Sequence, residues 1–132
     1  MCIRDSFWGL LGSSSKILSY EDHDFLFSKT SHLPHVISYS LTDSLFKRLG
    51  ERTFDFSGGS LEDYTRIASS DPLMWKDILI SNHQNILDSI EDFEESLTNL
   101  KGLIKKKDEK ALVDYFNRVK ILRDNSVKSD EL

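Results

Sequence analysis

Three of the four histidines in the chain, His23, His32 and His35, lie close together in the sequence. A metal site is one hypothesis. A zinc-protease helix, however, carries histidines at i and i+4 with a glutamate between them, whereas Leu33 and Pro34 separate His32 from His35. Only a kink at Pro34 would bring His23 to the other two. A polar pocket wall, whose imidazoles donate hydrogen bonds to an anionic ligand, fits the spacing better. Structural histidines without a ligand are the alternative.

The second group of residues with chemical potential surrounds Arg66, which follows the Gly58-Gly59 pair and ends the run Asp63-Tyr64-Thr65-Arg66. A guanidinium at this position can hold a carboxylate through two parallel N–H bonds, which lysine cannot do. Trp75 lies nine residues further on and would close a small-ligand pocket with an apolar face. The alternative is a structural arginine paired with Asp63 or Glu62, together with a tryptophan in the core.

The sequence lacks the motifs that several classes of enzyme require. No Gly-x-Gly-x-x-Gly run follows a strand and no phosphate-binding loop is present, so the chain has no dinucleotide fingerprint. The single cysteine, Cys2, excludes an intramolecular disulfide and has no identifiable catalytic partners. The chain therefore contains no complete redox or hydrolytic machinery.

Composition narrows the function classes further. The formal net charge is −5 and the pI is about 5.3, which argues against a nucleic-acid surface. No apolar stretch approaches the roughly 20 residues of a membrane helix, and the N-terminus lacks the pattern of a secretion signal. With one cysteine, the chain fits a reducing compartment, and we expect a cytoplasmic protein.

The elements that position these residues are predicted to be helices, because proline and glycine are scarce and no period-two strand pattern occurs. Ser19 would cap a helix that breaks or kinks near Leu33, ahead of Pro34. The next helix would run from about residue 34 to residue 49 and stop at Gly50. Residues 51–59 would form a loop, followed by a short helix from Ser60. The fold class is therefore all-α.

The strongest helix signal is Asp71-Pro72, a capping residue followed by a first-turn proline. The helix that begins there would be one long central helix reaching about Lys107, with Asn82 interrupting its apolar stripe. At 1.5 Å per residue the stripe spans about 40 Å, so we expect part of it to pack against a second subunit. A long helix covered by its own chain is the alternative. A last helix would span residues 108–124.

These patterns divide the chain into three parts. Residues 1–6 do not join naturally to the helical segments after them, and we interpret them as a non-native scar. Residues 7–124 would form one helical domain, and residues 125–132 a polar tail.

Taken in order, the motifs resemble the C-terminal domain of the prephenate and arogenate dehydrogenase family. The run Thr30-Ser31-His32-Leu33-Pro34-His35, followed by Thr65-Arg66-Ile67-Ala68, carries most of this resemblance. Phe7-Trp8-Gly9-Leu10-Leu11-Gly12, His23-Asp24, Gly58-Gly59, Pro72-Leu73-Met74-Trp75 and Asn82 agree in order and spacing. The resemblance extends over roughly residues 7–124.

The resemblance implies a helical dimerisation domain joined to an N-terminal Rossmann domain, with the substrate in the cleft between them. The implied reaction is an oxidative decarboxylation of prephenate or arogenate in tyrosine biosynthesis. The implied cofactor is NAD or NADP, held mainly by the missing domain. Tyrosine is an expected inhibitor of this family and a homodimer the expected assembly. Carried over by motif, the substrate-binding residues are His23, His32, His35, Gly59, Asp63, Arg66 and Trp75.

One departure from the family pattern bears on activity. The family's catalytic histidine lies in the Rossmann half, so the resemblance assigns no catalytic residue to this chain, and we expect the chain alone to be inactive. The competing hypothesis is a stand-alone helical module that dimerises or binds a small anion without catalysis. A nucleotide-binding segment encoded upstream would separate the two.

Overall fold

The computed structural model describes residues 3–13 and 15–127, and every regular element among them is helical. Residues 1, 2 and 128–132, which belong to the predicted scar and tail, lie outside this description. The α-helices are α1 (Ile3–Leu10), α2 (Tyr20–Phe27), α3 (Leu33–Leu49), α4 (Gly59–Thr65), α5 (Pro72–Ser81), α6 (His83–Lys106) and α7 (Glu109–Val127). The predicted all-α class is confirmed.

Helix α2 begins where its capping residue predicts. The Ser19 hydroxyl accepts a hydrogen bond from the Asp22 amide at 3.0 Å, and the acidic first turn suits the positive end of the helix dipole. The expected break near Leu33 takes a different form: a π-helical turn, Ser28–His32, joins α2 to α3 without interruption. Pro34 lies in the first turn of α3 and has no N–H, so it cannot continue the backbone hydrogen bonds that run through the π-helical turn.

The end of α3 agrees with the sequence signal, but the loop after it does not. Gly50 adopts a φ of 59°, in the left-handed region that favours glycine, and stops the helix as expected. The predicted loop over residues 51–59 is wrong in its first part, because Gly50–Phe54 forms a 3₁₀ helix. The Thr53 hydroxyl donates to the Gly50 carbonyl and closes this turn.

The predicted long central helix is present as α5 followed directly by α6. Asp71 caps α5 by accepting from the Met74 amide at 2.8 Å. Asn82, with φ −112° and ψ 29°, interrupts the helical backbone between the two segments. Backbone hydrogen bonds of 3.2 Å to Ile78 and from Ile86 continue across Asn82, so the helical path is kept. None of the described helices combines the length and the apolarity needed to span a membrane.

The chain divides into two units, residues 1–89 and residues 90–132. The interior of the first unit contains many small polar side chains. Ser28, Ser38 and Ser89 are fully buried, and each hydroxyl bonds to a backbone carbonyl. The Ser28 and Ser89 hydroxyls also lie 3.0 Å apart, so two small buried residues bring the π-helical turn close to α6. Buried hydroxyls are tolerated here because they are hydrogen-bonded.

The second unit contains the rest of α6 and all of α7. Asp108 caps α7 through a 3.0 Å bond from the Ala111 amide. Helix α7 continues to Val127, past the predicted domain boundary at residue 124. Several of its large apolar side chains, and two in the second half of α6, Leu97 and Ile104, are exposed.

Candidate functional site

The centre of the first unit is an aromatic cluster built by α3, α5 and the π-helical turn. The ring of His35 stacks on Trp75, with centroids 3.7 Å apart and planes 23° from parallel. His32 meets the same indole edge-on, at 6.1 Å and 82°. Trp75 is 6% exposed, and its indole Nε1 has no hydrogen-bond partner among the described residues. The structure thus brings together three predicted pocket residues around a buried donor.

Asn82 orders one side of this cluster. Its Nδ2 donates to the Asp24 carbonyl at 2.7 Å and lies 3.3 Å from Nδ1 of His32, while its Oδ1 accepts from Nδ2 of Asn85 at 2.8 Å. The sequence analysis treated Asn82 as a gap in an apolar stripe and as a position that agrees with the family pattern, but not as a site residue. The available signal was a polar side chain at an otherwise apolar position beside a helix interruption.

The two histidines next to Trp75 differ in their surroundings. His35 donates from Nδ1 to the Ser31 carbonyl at 3.0 Å, because a carbonyl can only accept. Burial lowers the pKa of His32, and positive charge on His23 or His35 would lower it further, whereas the Asp24 carboxylate opposes this effect. Burial therefore favours the neutral form of the His32 ring.

His23 lies apart from the Trp75 cluster. Its Nδ1 is 3.1 Å from the Asp24 carboxylate, and its ring stacks on Phe27 at 4.3 Å. It lines a cavity of about 720 Å³ to which neither His32 nor His35 contributes. The described residues contain no group of three histidine, cysteine, aspartate or glutamate side chains arranged to hold a metal ion.

Arg66 and Asp63 line another cavity, of about 650 Å³, beside α3. Arg66 is exposed, and in the part of the chain that the structure describes it forms no ion pair. The suggested structural pairs with Asp63 or Glu62 are not made. Gly59 begins α4 and is not among the residues that line this cavity.

One face of α3 carries both the histidine cluster and the Arg66 cavity. His35, Tyr39 and Thr42 succeed each other at helical spacing; Tyr39 donates to the Ser70 carbonyl at 3.0 Å, and Thr42 lines the cavity. From His35 to Thr42 is about 10 Å along the axis. The arrangement offers hydrogen-bonding imidazoles and a cation on one helix face, which suits anion binding; no nucleophile–base pair accompanies them among the described residues.

The described residues thus form an all-helical fold with a site that suits anion binding. A family model described as the dimerization domain of prephenate dehydrogenase matches residues 19–118. The chain belongs to this family.

Individual relatives agree with this assignment. A cyclohexadienyl dehydrogenase from Zymomonas mobilis is 34% identical over 113 residues, which cover 83% of this chain and 39% of that protein. A prephenate dehydrogenase from Bacillus subtilis is 35% identical over 109 residues, covering 81% of this chain and 29% of that protein. The chain thus spans about a third of the length of the curated relatives that it matches.

Solved structures give the same picture. Prephenate dehydrogenase from Aquifex aeolicus, in complex with hydroxyphenyl propionate and NAD+, matches with a TM-score of 0.77 and 43% identity, over 83% of this chain and 39% of that one. Another structure of the Aquifex enzyme matches with a TM-score of 0.80, at 39% identity, over 89% of this chain and 42% of that one. Arogenate dehydrogenase from Synechocystis has a TM-score of 0.80 at 21% identity, over 92% of this chain and 45% of that one, and shows the shared fold.

Proposed function

We propose that this chain is the substrate-binding and dimerisation part of a prephenate or arogenate dehydrogenase. The whole enzyme would transfer a hydride from the ring carbon that bears the hydroxyl to NAD or NADP. The ring carboxylate would leave as carbon dioxide, and the ring would become aromatic. The products would be 4-hydroxyphenylpyruvate from prephenate and tyrosine from arogenate. The match of residues 19–118 to the family's dimerization domain carries this proposal.

The role of Arg66 in this proposal is to hold a substrate carboxylate. Its support is physical: an exposed guanidinium lines a cavity and makes no ion pair in the described part of the chain. An arginine with no ion-pair partner among the described residues is available for a bidentate bond to a ligand carboxylate. Asp63 would border the same pocket and help to set its net charge. Gly59 does not line this cavity; as the first residue of α4 it would shape the pocket through the position of that helix.

The histidines would serve the same ligand. His32 and His35 would present ring nitrogens as hydrogen-bonding groups, and Trp75 would supply an apolar floor beneath His35. His23 would lie at the edge of the site, next to Asp24. None of these residues is assigned a catalytic step, because the proton acceptor for the substrate hydroxyl would come from another domain.

The dinucleotide would also belong to that other domain. The described residues include no strand, turn and helix with a glycine-rich phosphate cradle, so this chain does not fit the cofactor. We therefore propose that the 132-residue chain is inactive by itself. We place the enzyme in the cytoplasm, with tyrosine as a candidate inhibitor at the substrate pocket.

Dimerisation would use the second unit. Some large apolar side chains of α6 and α7 are more than half exposed there, among them Leu97 at 52%, Ile104 at 58% and Phe116 at 54%. A chain of this size rarely leaves so many large apolar side chains exposed to water on adjacent elements without a partner. Sedimentation of the purified chain tests this point, and a monomer at micromolar concentration would contradict it.

The alternative is a helical dimerisation or small-anion-binding module without catalysis. The coding DNA upstream of Phe7 distinguishes the two. An in-frame glycine-rich strand–turn–helix segment leads to the decisive assay, which is NAD(P)H formation from prephenate and arogenate by the full-length protein. A stop codon immediately upstream, or a full-length protein without this activity, favours the stand-alone module. Activity of the 132-residue chain itself would refute the division of labour between the two domains.

A further inference from the structure

The side chain of Asn82 touches His32 but is not itself among the residues proposed to contact the substrate. We propose that Asn82 is a positioning residue: its amide holds the imidazole of His32 in the tautomer with the proton on Nε2, so that His32 offers an N–H to the anionic ligand. The ligand half of this inference rests on the proposed function. The tautomer half rests only on the contacts around Asn82.

The orientation of the Asn82 amide follows from its neighbours. The Asp24 carbonyl oxygen can only accept, and it lies 2.7 Å from one terminal atom of Asn82, which must therefore be Nδ2. The opposite terminal atom is then Oδ1, an acceptor. Nδ2 of Asn85 faces this oxygen at 2.8 Å and donates to it. The orientation that the Asp24 carbonyl sets is therefore compatible with the contact to Asn85 as well.

The tautomer of His32 follows from that orientation. Nδ2 of Asn82 carries two hydrogens; one is used by the Asp24 carbonyl, and the other faces Nδ1 of His32 at 3.3 Å. Nδ1 must accept this hydrogen bond, so in the neutral ring the proton is on Nε2. With a proton on Nδ1, the N–H of His32 would point at the N–H of Asn82, and neither could accept a hydrogen bond from the other. Asn82 is only 6% exposed, so water would not relieve this contact. Burial also lowers the pKa of His32, which favours the neutral ring that this hydrogen bond requires.

The neighbouring histidine has the opposite arrangement. His35 donates from Nδ1 to the Ser31 carbonyl, which leaves Nε2 as an acceptor in its neutral ring. Two imidazoles that flank Trp75 therefore present one donor and one acceptor. Nδ1 of His35 is bonded to Ser31 and not to Asn82. His35 therefore provides an internal control for any change at residue 82.

The interruption of the helix explains how Asn82 reaches these partners. Asn82 stands between α5 and α6 with φ −112°, outside helical geometry, whereas its backbone hydrogen bonds to both segments are kept. From there its side chain contacts residues on α2 and on the π-helical turn. The non-helical backbone at Asn82 and the polar contacts of its side chain therefore occur at the same residue.

The test is a long-range ¹H–¹⁵N correlation spectrum of the imidazole rings in the 132-residue chain at pH 7.5. We expect an unprotonated Nδ1 in His32 and an unprotonated Nε2 in His35. Asn82→Asp replaces the donor by an oxygen of similar size and should move the His32 proton to Nδ1, or make the ring cationic, with His35 unchanged. Asn82→Ala, which should give a mixture of His32 tautomers, serves if the aspartate variant does not fold. Asn99→Asp, on an exposed turn of α6, is the matched control.

A wild-type His32 with its proton on Nδ1, or a tautomer that neither Asn82 variant changes, overturns the inference. In the full-length protein, Asn82→Ala should raise KM for prephenate about tenfold, the effect of one hydrogen bond to a charged group, and should affect kcat less. If the tautomer changes while KM and kcat stay the same, the ligand half is wrong and the tautomer half stands. If the wild-type full-length protein turns over neither prephenate nor arogenate, the proposed function fails, but the spectra still decide the role of Asn82.

Discussion

Replacement of Arg66 by lysine separates a ligand-binding arginine from a structural one. Arg66 lies at the start of a 3₁₀ helix (Arg66–Ser69), is exposed, and forms no ion pair in the described part of the chain. Lysine keeps the charge but loses the planar fork that binds a carboxylate through two bonds. Folding should therefore change little, and substrate binding should weaken.

The magnitude follows from the number of bonds lost. A hydrogen bond to a charged group contributes roughly 1.5–3 kcal/mol, and lysine retains a single point contact, so one such bond is lost. This corresponds to a loss of about tenfold to 150-fold in kcat/KM for prephenate. A substitution at an exposed position without partners usually alters stability by less than about 0.5 kcal/mol.

The assay is steady-state kinetics of the full-length protein, together with urea unfolding of wild type and variant. Arg123→Lys, at an exposed position of α7, controls for the substitution itself and should change neither quantity. Equal kcat/KM in the Arg66 variant would refute the carboxylate role. A loss of about 2 kcal/mol in stability with unchanged kinetics would support the structural alternative.

Three further predictions concern stability and follow from single contacts. Asp71→Ala removes the cap of α5 and should cost about 0.5–2 kcal/mol in urea unfolding, whereas Asp77→Ala, at an exposed position of the same helix, should cost much less. Ser89→Val places two methyl groups where no surface is exposed and should cost about 1–3 kcal/mol of stability. Ser96→Val, on the exposed side of α6, controls for the lower helix propensity of valine. Equal losses of stability in the two variants would contradict tight packing around Ser89. Burial lowers the folded-state pKa of His32 below 6.5. As the pH falls, the imidazole is therefore protonated in the unfolded chain before it is protonated in the folded one. Stability should decrease below about pH 6.5 until the folded-state pKa is passed. His32→Gln should remove this part of the pH dependence in thermal unfolding, and an unchanged slope would show that burial of His32 does not control it.

The helix boundaries were the most accessible part of the fold from sequence, because the signals are local. Ser19, Gly50 and Asp71 act on backbone groups within four residues of themselves, and each begins or ends a helix as predicted. The π-helical turn at Ser28–His32 and the 3₁₀ helix at Gly50–Phe54 were not predicted. Such variants differ from an α-helix by one hydrogen-bond register, and packing elsewhere in the chain selects between them.

The candidate site was predictable in its residue types but not in its grouping. From the sequence, only a kink at Pro34 would have brought His23 to His32 and His35. The structure joins His32 and His35 with Trp75, whereas His23 lines a cavity to which these residues do not contribute. The contact between His35 and Trp75 depends on how α3 packs against α5. No local pattern specifies that packing, since the two residues are forty positions apart.

The sequence by itself determined the all-α class, the main capping residues and the family to which the chain belongs, since each depends on residue order and short-range hydrogen bonds. The tertiary structure alone decided which polar groups meet. The Ser28–Ser89 contact, the contacts of Asn82 with Asp24 and His32, and the absence of an ion pair at Arg66 among the described residues appear only there. The physical reason is that a buried polar group must find a partner in space, and the partner's identity depends on packing between elements distant in sequence.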